Sequence, residues 1–274
     1  MKTVPTIVVA AILLASLPSG LSAEEAEVPI IEETSQEIIE SLTENIQALR
    51  LSSLASELSS IELGAMSDDQ FSVLLSEINS LPEIEGTSTG EVGAEYDIIL
   101  QPGHYKRKTG ATGAQGARVS EQRIVAYIVS HAAKKLKDEQ FNVLVVPADG
   151  VSSPLKAKVF LSVHADGNAK GCVVGPSLAY KDTSSLHAMH AVGFSLARAF
   201  GYEYDDFMKD GYTANSAKYY MYPKVNADIM SGLLEIGELT CPEIEDKLIE
   251  TSPVIASNLA ASLRYIVTLP SSEN

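Results

Sequence analysis

From Glu95 onward, short apolar runs alternate with longer runs whose apolar residues recur every three to four positions. This alternation is what most constrains the fold. Tyr96-Asp97-Ile98-Ile99-Leu100 reads as a first strand, ended by Pro102-Gly103. A helix is predicted from about Ser120, with Ile124, Val125, Ile128, Val129, Ala132, Ala133 and Leu136 on one face. Residues 141–146 and 158–164 read as the second and third strands, 171–180 as a fourth and 231–236 as a later one. Residues 184–200 and 252–267 read as helices. The order predicts an α/β fold: a largely parallel, twisted sheet flanked by helices.

Charge divides the chain. Of the formal net charge of -16, residues 24–90 carry -14, from fifteen acids against the single base Arg50. Residues 91–274 are nearly balanced. The acidity argues against nucleic acid, whose phosphates need clustered Lys and Arg, and against docking on anionic lipid. The expected organisation is a signal peptide over 1–23, an acidic helical or partly disordered segment and linker over 24–90, and a catalytic domain over 91–274.

Lys2, the apolar core from Ile7 to Ala15 and the small-residue end Leu21-Ser22-Ala23 carry the signal-peptide reading. The apolar run from Val4 to Leu17 is shorter than the roughly 20 residues that span a bilayer, so export to a periplasmic or secreted location is expected, without stable membrane insertion. An oxidising compartment permits a Cys172–Cys241 disulfide; two buried free thiols are the equal alternative.

In the acidic segment Thr34 with Glu37 and Ser67 with Gln70 fit capping boxes, each followed by apolar residues at helical spacing. The segment reads either as a helical hairpin that docks a protein partner or as a solvated acidic spacer. High net charge tips the balance toward the spacer. With no Trp in the chain and Phe71 as the segment's only aromatic, a stacking sugar-binding module is not expected.

The residues with chemistry sit where such a sheet puts ligands, beyond the carboxyl ends of its strands. His104 follows the first strand, Glu121 opens the helix after it, and His164 ends the third strand in Leu161-Ser162-Val163-His164-Ala165-Asp166. Glu235 lies inside the apolar run Gly232-Leu233-Leu234-Glu235-Ile236-Gly237, a costly place for an acid without a partner. Two His and one carboxylate leave one position open on a tetrahedral zinc, and a further Glu supplies a base. Spacing alone leaves metal ligands and ordinary structural histidines both open.

Taken together, Ile99-Leu100-Gln101-Pro102-Gly103-His104, the Gly-rich loop after it, Val119-Ser120-Glu121, the His164 strand and Leu234-Glu235-Ile236-Gly237 resemble, in order, the motifs of zinc-dependent N-acetylmuramoyl-L-alanine amidases. The resemblance covers about residues 95–267. It implies that His104, Glu121 and His164 bind Zn2+ and that Glu235 is the catalytic acid/base. It also implies hydrolysis of the bond between muramic acid and L-alanine in peptidoglycan. Two alternatives stay open: a non-catalytic wall-binding or regulatory relative, and a zinc hydrolase of another amide.

Three departures stand out. Gln101 replaces an acid, so an orienting partner of His104 is expected to be missing. The stretch between strands two and three leaves little room for a helix. Glu238 stands where an aromatic is usual. Lys106-Arg107-Lys108 reads as a solvated loop or as a seat for stem-peptide carboxylates. His187 and His190, three apart on a helix, read as surface residues rather than a metal pair. Tyr202, Tyr204, Asp205, Asp206 and Phe207 read as a substrate-cleft wall and Tyr212, Tyr219, Tyr220 and Tyr222 as a sugar-stacking set, with packing or a mobile loop an equal alternative for both clusters.

Overall fold

Five strands form one sheet in the order β2-β1-β3-β5-β4: β1 (Glu95–Pro102), β2 (Val143–Val145), β3 (Leu155–Asp166), β4 (Ser177–Tyr180) and β5 (Val225–Glu238). The computed structural model describes residues 52–60, 64–80, 83–151, 154–173, 175–208 and 218–269. All of these belong to one compact unit, residues 46–274. The signal-peptide reading and the Thr34 capping box lie outside the described residues.

Neighbours β2, β1, β3 and β5 are parallel, and only the edge strand β4 runs antiparallel, against β5. The expected parallel sheet is therefore present, with one reversed edge. The central strands β3 and β5 are longer than their apolar runs suggest, because both continue through residues whose backbone still pairs across the sheet. The fourth strand is shorter than expected. Cys172 takes a left-handed φ of 53° and Gly171 one of 65°, so the chain turns there and pairs only from Ser177.

Helices α1 (Asp68–Asn79), α2 (Glu121–Asp138), α3 (Leu186–Ala199), α4 (Tyr204–Phe207) and α5 (Pro242–Val267) complete the unit. Alternation along the strands sends side chains to two cores. Ile98, Leu100, Val159, Leu161 and Val163 join the buried faces of α2, α3 and α5. Ile99 and Phe160 point the other way and are covered by Val146, Val151, Met221 and Tyr222. The connection from β2 to β3 contributes Val146 and Val151 to that second core and carries no helix among the described residues.

The closing helix begins at Pro242, ten residues before the expected start. Proline at its first turn needs no N–H partner. Pro253, inside the helix, removes the donor that Ile249 O would receive; Ser252 Oγ donates to that carbonyl instead, at 2.9 Å. A proline that reads as a boundary is thus absorbed.

The acidic segment is not a spacer where it is described. Residues 52–57 are helical, and α1 starts with the expected capping box: Gln70 N donates to Ser67 Oγ and Ser67 N to Gln70 Oε1. Leu54, Leu58, Leu74, Ile78 and Ile84 are buried in the same core as α2 and α5. The Glu250 carboxylate accepts from Gly64 N at 2.8 Å, and Asn258 exchanges hydrogen bonds with both backbone groups of Ser59. Ser88 N donates to Val145 O. Net charge misled because the acids lie on the outward side while a narrow apolar stripe packs inward.

Candidate active site

β1 delivers His104 through a turn that only particular residues allow. His104 itself has a φ of 56°, a left-handed conformation uncommon for residues other than glycine. A Cβ on the preceding Gly103 would stand 2.5 Å from His164 Nδ1, so the close approach of β1 and β3 at this level requires glycine. A Gly103→Ala variant is expected to push the His164 ring aside and weaken divalent-metal binding by roughly tenfold or more. Zinc titration against a competing chelator checks this, and unchanged affinity would show that the ring has room to yield.

Glu121 is the first residue of α2, after Ser120 at the N-cap, and is buried to 3% exposure. Its Oε2 accepts from Ala114 N at 2.7 Å, and its Oε1 accepts from Ala165 N at 3.2 Å. Oε1 also lies 2.9 Å from His164 Nδ1 and 3.6 Å from His104 Nε2. The Gly-rich loop closes over this pair: a Cβ on Gly113 would fall 2.6 Å from Glu121 Oε2. His104 Nδ1 is hydrogen-bonded to Ala111 O at 2.7 Å, which turns Nε2 inward.

One ligand atom from each of His104, Glu121 and His164 lies within 4.8 Å of the others. They line a cleft of about 390 Å³ with Asp166, Asn168, Thr240 and Glu235. Glu235 is the register partner of His164 on β3 and of Ser177 on β4, which sets it beside His164 on the central strand pair. Thus the four residues that lie far apart in sequence meet at one end of the sheet.

The electrostatics are those of a site short of positive charge. Burial pushes the Glu235 carboxyl well above its ordinary range, and the nearby Asp166 and Glu121 carboxylates push it further. Burial, with Glu121 next, raises Asp166 to about 6. Burial opposes ionisation of Glu121 too, yet the His164 hydrogen bond, the two imidazoles and the Ala114 amide hold it below the usual range. Burial lowers His104. Oε2 of Glu235 and Oδ2 of Asp166 are buried without a hydrogen-bond partner. Among the described residues, no Lys or Arg lines the cleft. Two imidazoles, one carboxylate and orphaned acids beside them suit a divalent cation with nitrogen and oxygen ligands.

Several expectations change in the structure. Gln101 does not leave His104 without an orienting partner: the Ala111 carbonyl takes that role, and Gln101 reaches His164 instead, through Tyr219. Tyr219, which reads as a sugar-stacking, packing or mobile-loop aromatic, has its hydroxyl 3.0 Å from His164 Nε2, while Tyr212 of the same set lies outside the described residues. Nothing in the spacing announces this; the unusual Gln101 is the one signal that the surroundings of the histidines had changed. Two of the three basic loop side chains are already paired, Lys106 with Glu83 and Arg107 with Asp149.

Cys172 and Cys241 form the disulfide, linking the loop after β3 to the N-cap of α5. Glu238 turns inward beside it, accepting from Val173 N at 2.6 Å and from Thr240 Oγ1 at 2.8 Å. His187 and His190 are exposed on α3 and join no metal-ligand cluster among the described residues. Phe207 packs on Phe200 and Tyr202, a structural role.

No curated protein matches the chain. Among solved structures it is similar to the N-acetylmuramoyl-L-alanine amidase AmiC2 of Nostoc punctiforme, at 19% identity over 65% of this chain and 97% of that one, with a TM-score of 0.46. An amidase from Clostridium difficile is similar at 18% identity over 62% and 95% of the two chains, with a TM-score of 0.44. The CwlD amidase from Clostridioides difficile, in complex with the GerS lipoprotein, is similar at 17% identity over 62% and 98%, with a TM-score of 0.42. The family described as N-acetylmuramoyl-L-alanine amidase matches residues 98–264. That span is more than half of the sequence and contains His104, Glu121, His164 and Glu235, and by it the chain belongs to the N-acetylmuramoyl-L-alanine amidase family.

Proposed function

We propose that this chain is an exported zinc-dependent hydrolase that cleaves the amide between N-acetylmuramic acid and L-alanine in peptidoglycan. The observation that carries the reading is the buried, unpartnered Oε2 of Glu235 in the cleft that also holds His104, Glu121 and His164. That oxygen has no hydrogen-bond partner to serve. It suits proton transfer to and from a reacting group.

His104, Glu121 and His164 would hold the ion. When bound, zinc supplies Lewis acidity, which polarises an amide carbonyl and makes water a better nucleophile at neutral pH. With a cation's charge offsetting the Asp166 and Glu121 carboxylates that oppose its ionisation, Glu235 would take a proton from the attacking water and return it to the leaving nitrogen as the C–N bond breaks. Asp166 lends negative charge to the cleft without being a ligand. Leu234 and Ile236, the neighbours of Glu235 along β5, point to the opposite face and pack in the core, which fixes the strand that carries it.

Export rests on Lys2, the apolar core of residues 7–15 and the small-residue end at Ala23. Among the described residues, no helix is long and apolar enough to cross a membrane.

Digestion of purified peptidoglycan with mass analysis tests the reading. Release of intact stem peptides with a free L-alanine amine is expected, with loss of release under chelation and recovery on adding zinc. Cleavage within the stem peptide would show a different amide as the substrate, and release that persists under thorough chelation would remove the metal from the mechanism.

A further inference from the structure

Beneath the metal-ligand cluster a chain of hydrogen bonds runs away from His164. His164 Nε2 lies 3.0 Å from the Tyr219 hydroxyl. That hydroxyl lies 2.5 Å from Gln101 Oε1, which also accepts from Ser162 Oγ at 2.9 Å. Gln101 Nε2 lies 3.1 Å from the Tyr220 hydroxyl, and the Tyr220 hydroxyl lies 2.6 Å from Ala148 O. Gln101 is fully buried.

Counting hydrogens from the far end orders the chain. The Ala148 carbonyl only accepts, so Tyr220 donates its single hydroxyl hydrogen there. The Tyr220 oxygen then accepts, from Gln101 and from an Arg107 guanidinium nitrogen at 3.0 Å. That places the Gln101 amino group toward Tyr220 and its carbonyl toward Tyr219. The carbonyl only accepts, so the Tyr219 hydrogen goes to Gln101. The Tyr219 oxygen, which also lies 3.1 Å from Ser162 Oγ, then has only acceptor capacity left toward His164, so a hydrogen on Nε2 is what makes that contact a hydrogen bond. The ring nitrogen left to meet a cation is Nδ1, the one that faces Glu121.

We propose that Tyr219, Gln101 and Tyr220 form a relay of positioning residues that sets the His164 tautomer and aims Nδ1 at the metal. It rests on the metal reading given above. Its anchor is a backbone carbonyl, which cannot change role. The relay also explains the departure at position 101: a carboxylate there accepts from Tyr219 but donates nothing to Tyr220, whereas an amide does both. Partners that hold the second ring nitrogen of a ligating histidine typically change metal affinity by about 10- to 100-fold when removed.

Zinc affinity of the full chain, measured against a chromophoric competitor, tests the relay. Tyr219→Phe and Gln101→Leu are each expected to bind zinc about 10- to 100-fold more weakly. Gln101→Glu keeps the acceptor for Tyr219 and is expected to recover most of that loss. Wild-type affinity in a folded Tyr219→Phe variant overturns the proposal, as does an equal loss in Gln101→Glu and Gln101→Leu.

A second readout needs no metal and no substitution in a tightly packed position. Imidazole 15N NMR of the metal-free protein is expected to show a protonated, slowly exchanging Nε2 on His164. A bare Nε2 overturns the relay whether or not zinc binds. A wild-type chain that binds no zinc overturns the metal reading instead, and the spectrum still judges the relay.

Discussion

Replacing Glu235 with alanine is expected to abolish peptidoglycan hydrolysis while zinc stays bound. General acid–base groups contribute about 10²- to 10⁴-fold, and a group that both removes and returns a proton sits at the upper end. The fold should tolerate the change. Glu235 Oε2 has no hydrogen-bond partner to lose, and burial together with the Asp166 and Glu121 charges already works against its ionisation. Removing an acid so placed relieves desolvation rather than breaking a network. The checks are turnover on purified peptidoglycan, zinc content and thermal midpoint, measured together. Full activity in Glu235→Ala ends the assignment. Loss of zinc along with activity would make Glu235 a ligand rather than a base.

His164→Ala is expected to remove metal binding and activity together, with no rescue by added zinc. Two losses coincide there. The cluster loses one of its three ligand residues, and Glu121 Oε1 loses its 2.9 Å partner, leaving a buried carboxylate beside Asp166 and Glu235. Uncompensated buried charge is among the costlier defects a folded chain can carry, so a lower thermal midpoint is expected as well. Zinc content and unfolding of the metal-free proteins separate the two effects. Zinc binding at wild-type strength would show that His164 is structural.

Much of the site is legible in the sequence because each residue falls at a break in pattern. His104 follows the Pro-Gly that ends β1, Glu121 opens an amphipathic helix, and Glu235 interrupts an apolar run. Placement at strand ends then follows from the habit of parallel sheets to gather ligands at one edge. The family resemblance rests on the same residues, and the match over residues 98–264 bears it out.

Tyr219 was not legible. It lies 55 residues from His164, and its meeting with Gln101 depends on how the segment before β5 returns across the sheet face opposite α2, α3 and α5. Nor was the packing of the described residues between 52 and 90. Fifteen acids dominate any composition measure over 24–90, while the burial of Leu54, Leu74 and Ile78 depends on a stripe that only a partner surface reveals.

By itself, the sequence determined the order of strands and helices and the start of α1 and α2, and it set His104, Glu121, His164 and Glu235 at breaks in the pattern, their roles resting on the family resemblance. These follow from periodicity, capping and the cost of a polar residue in an apolar run, all of which act over a few positions. The tertiary structure decided the strand order and reversed edge, the Cys172–Cys241 bond, the fate of the acidic segment and which group orients which histidine. Those depend on distances between residues tens of positions apart, set by packing two faces of one sheet and by satisfying each buried hydrogen-bonding group at once.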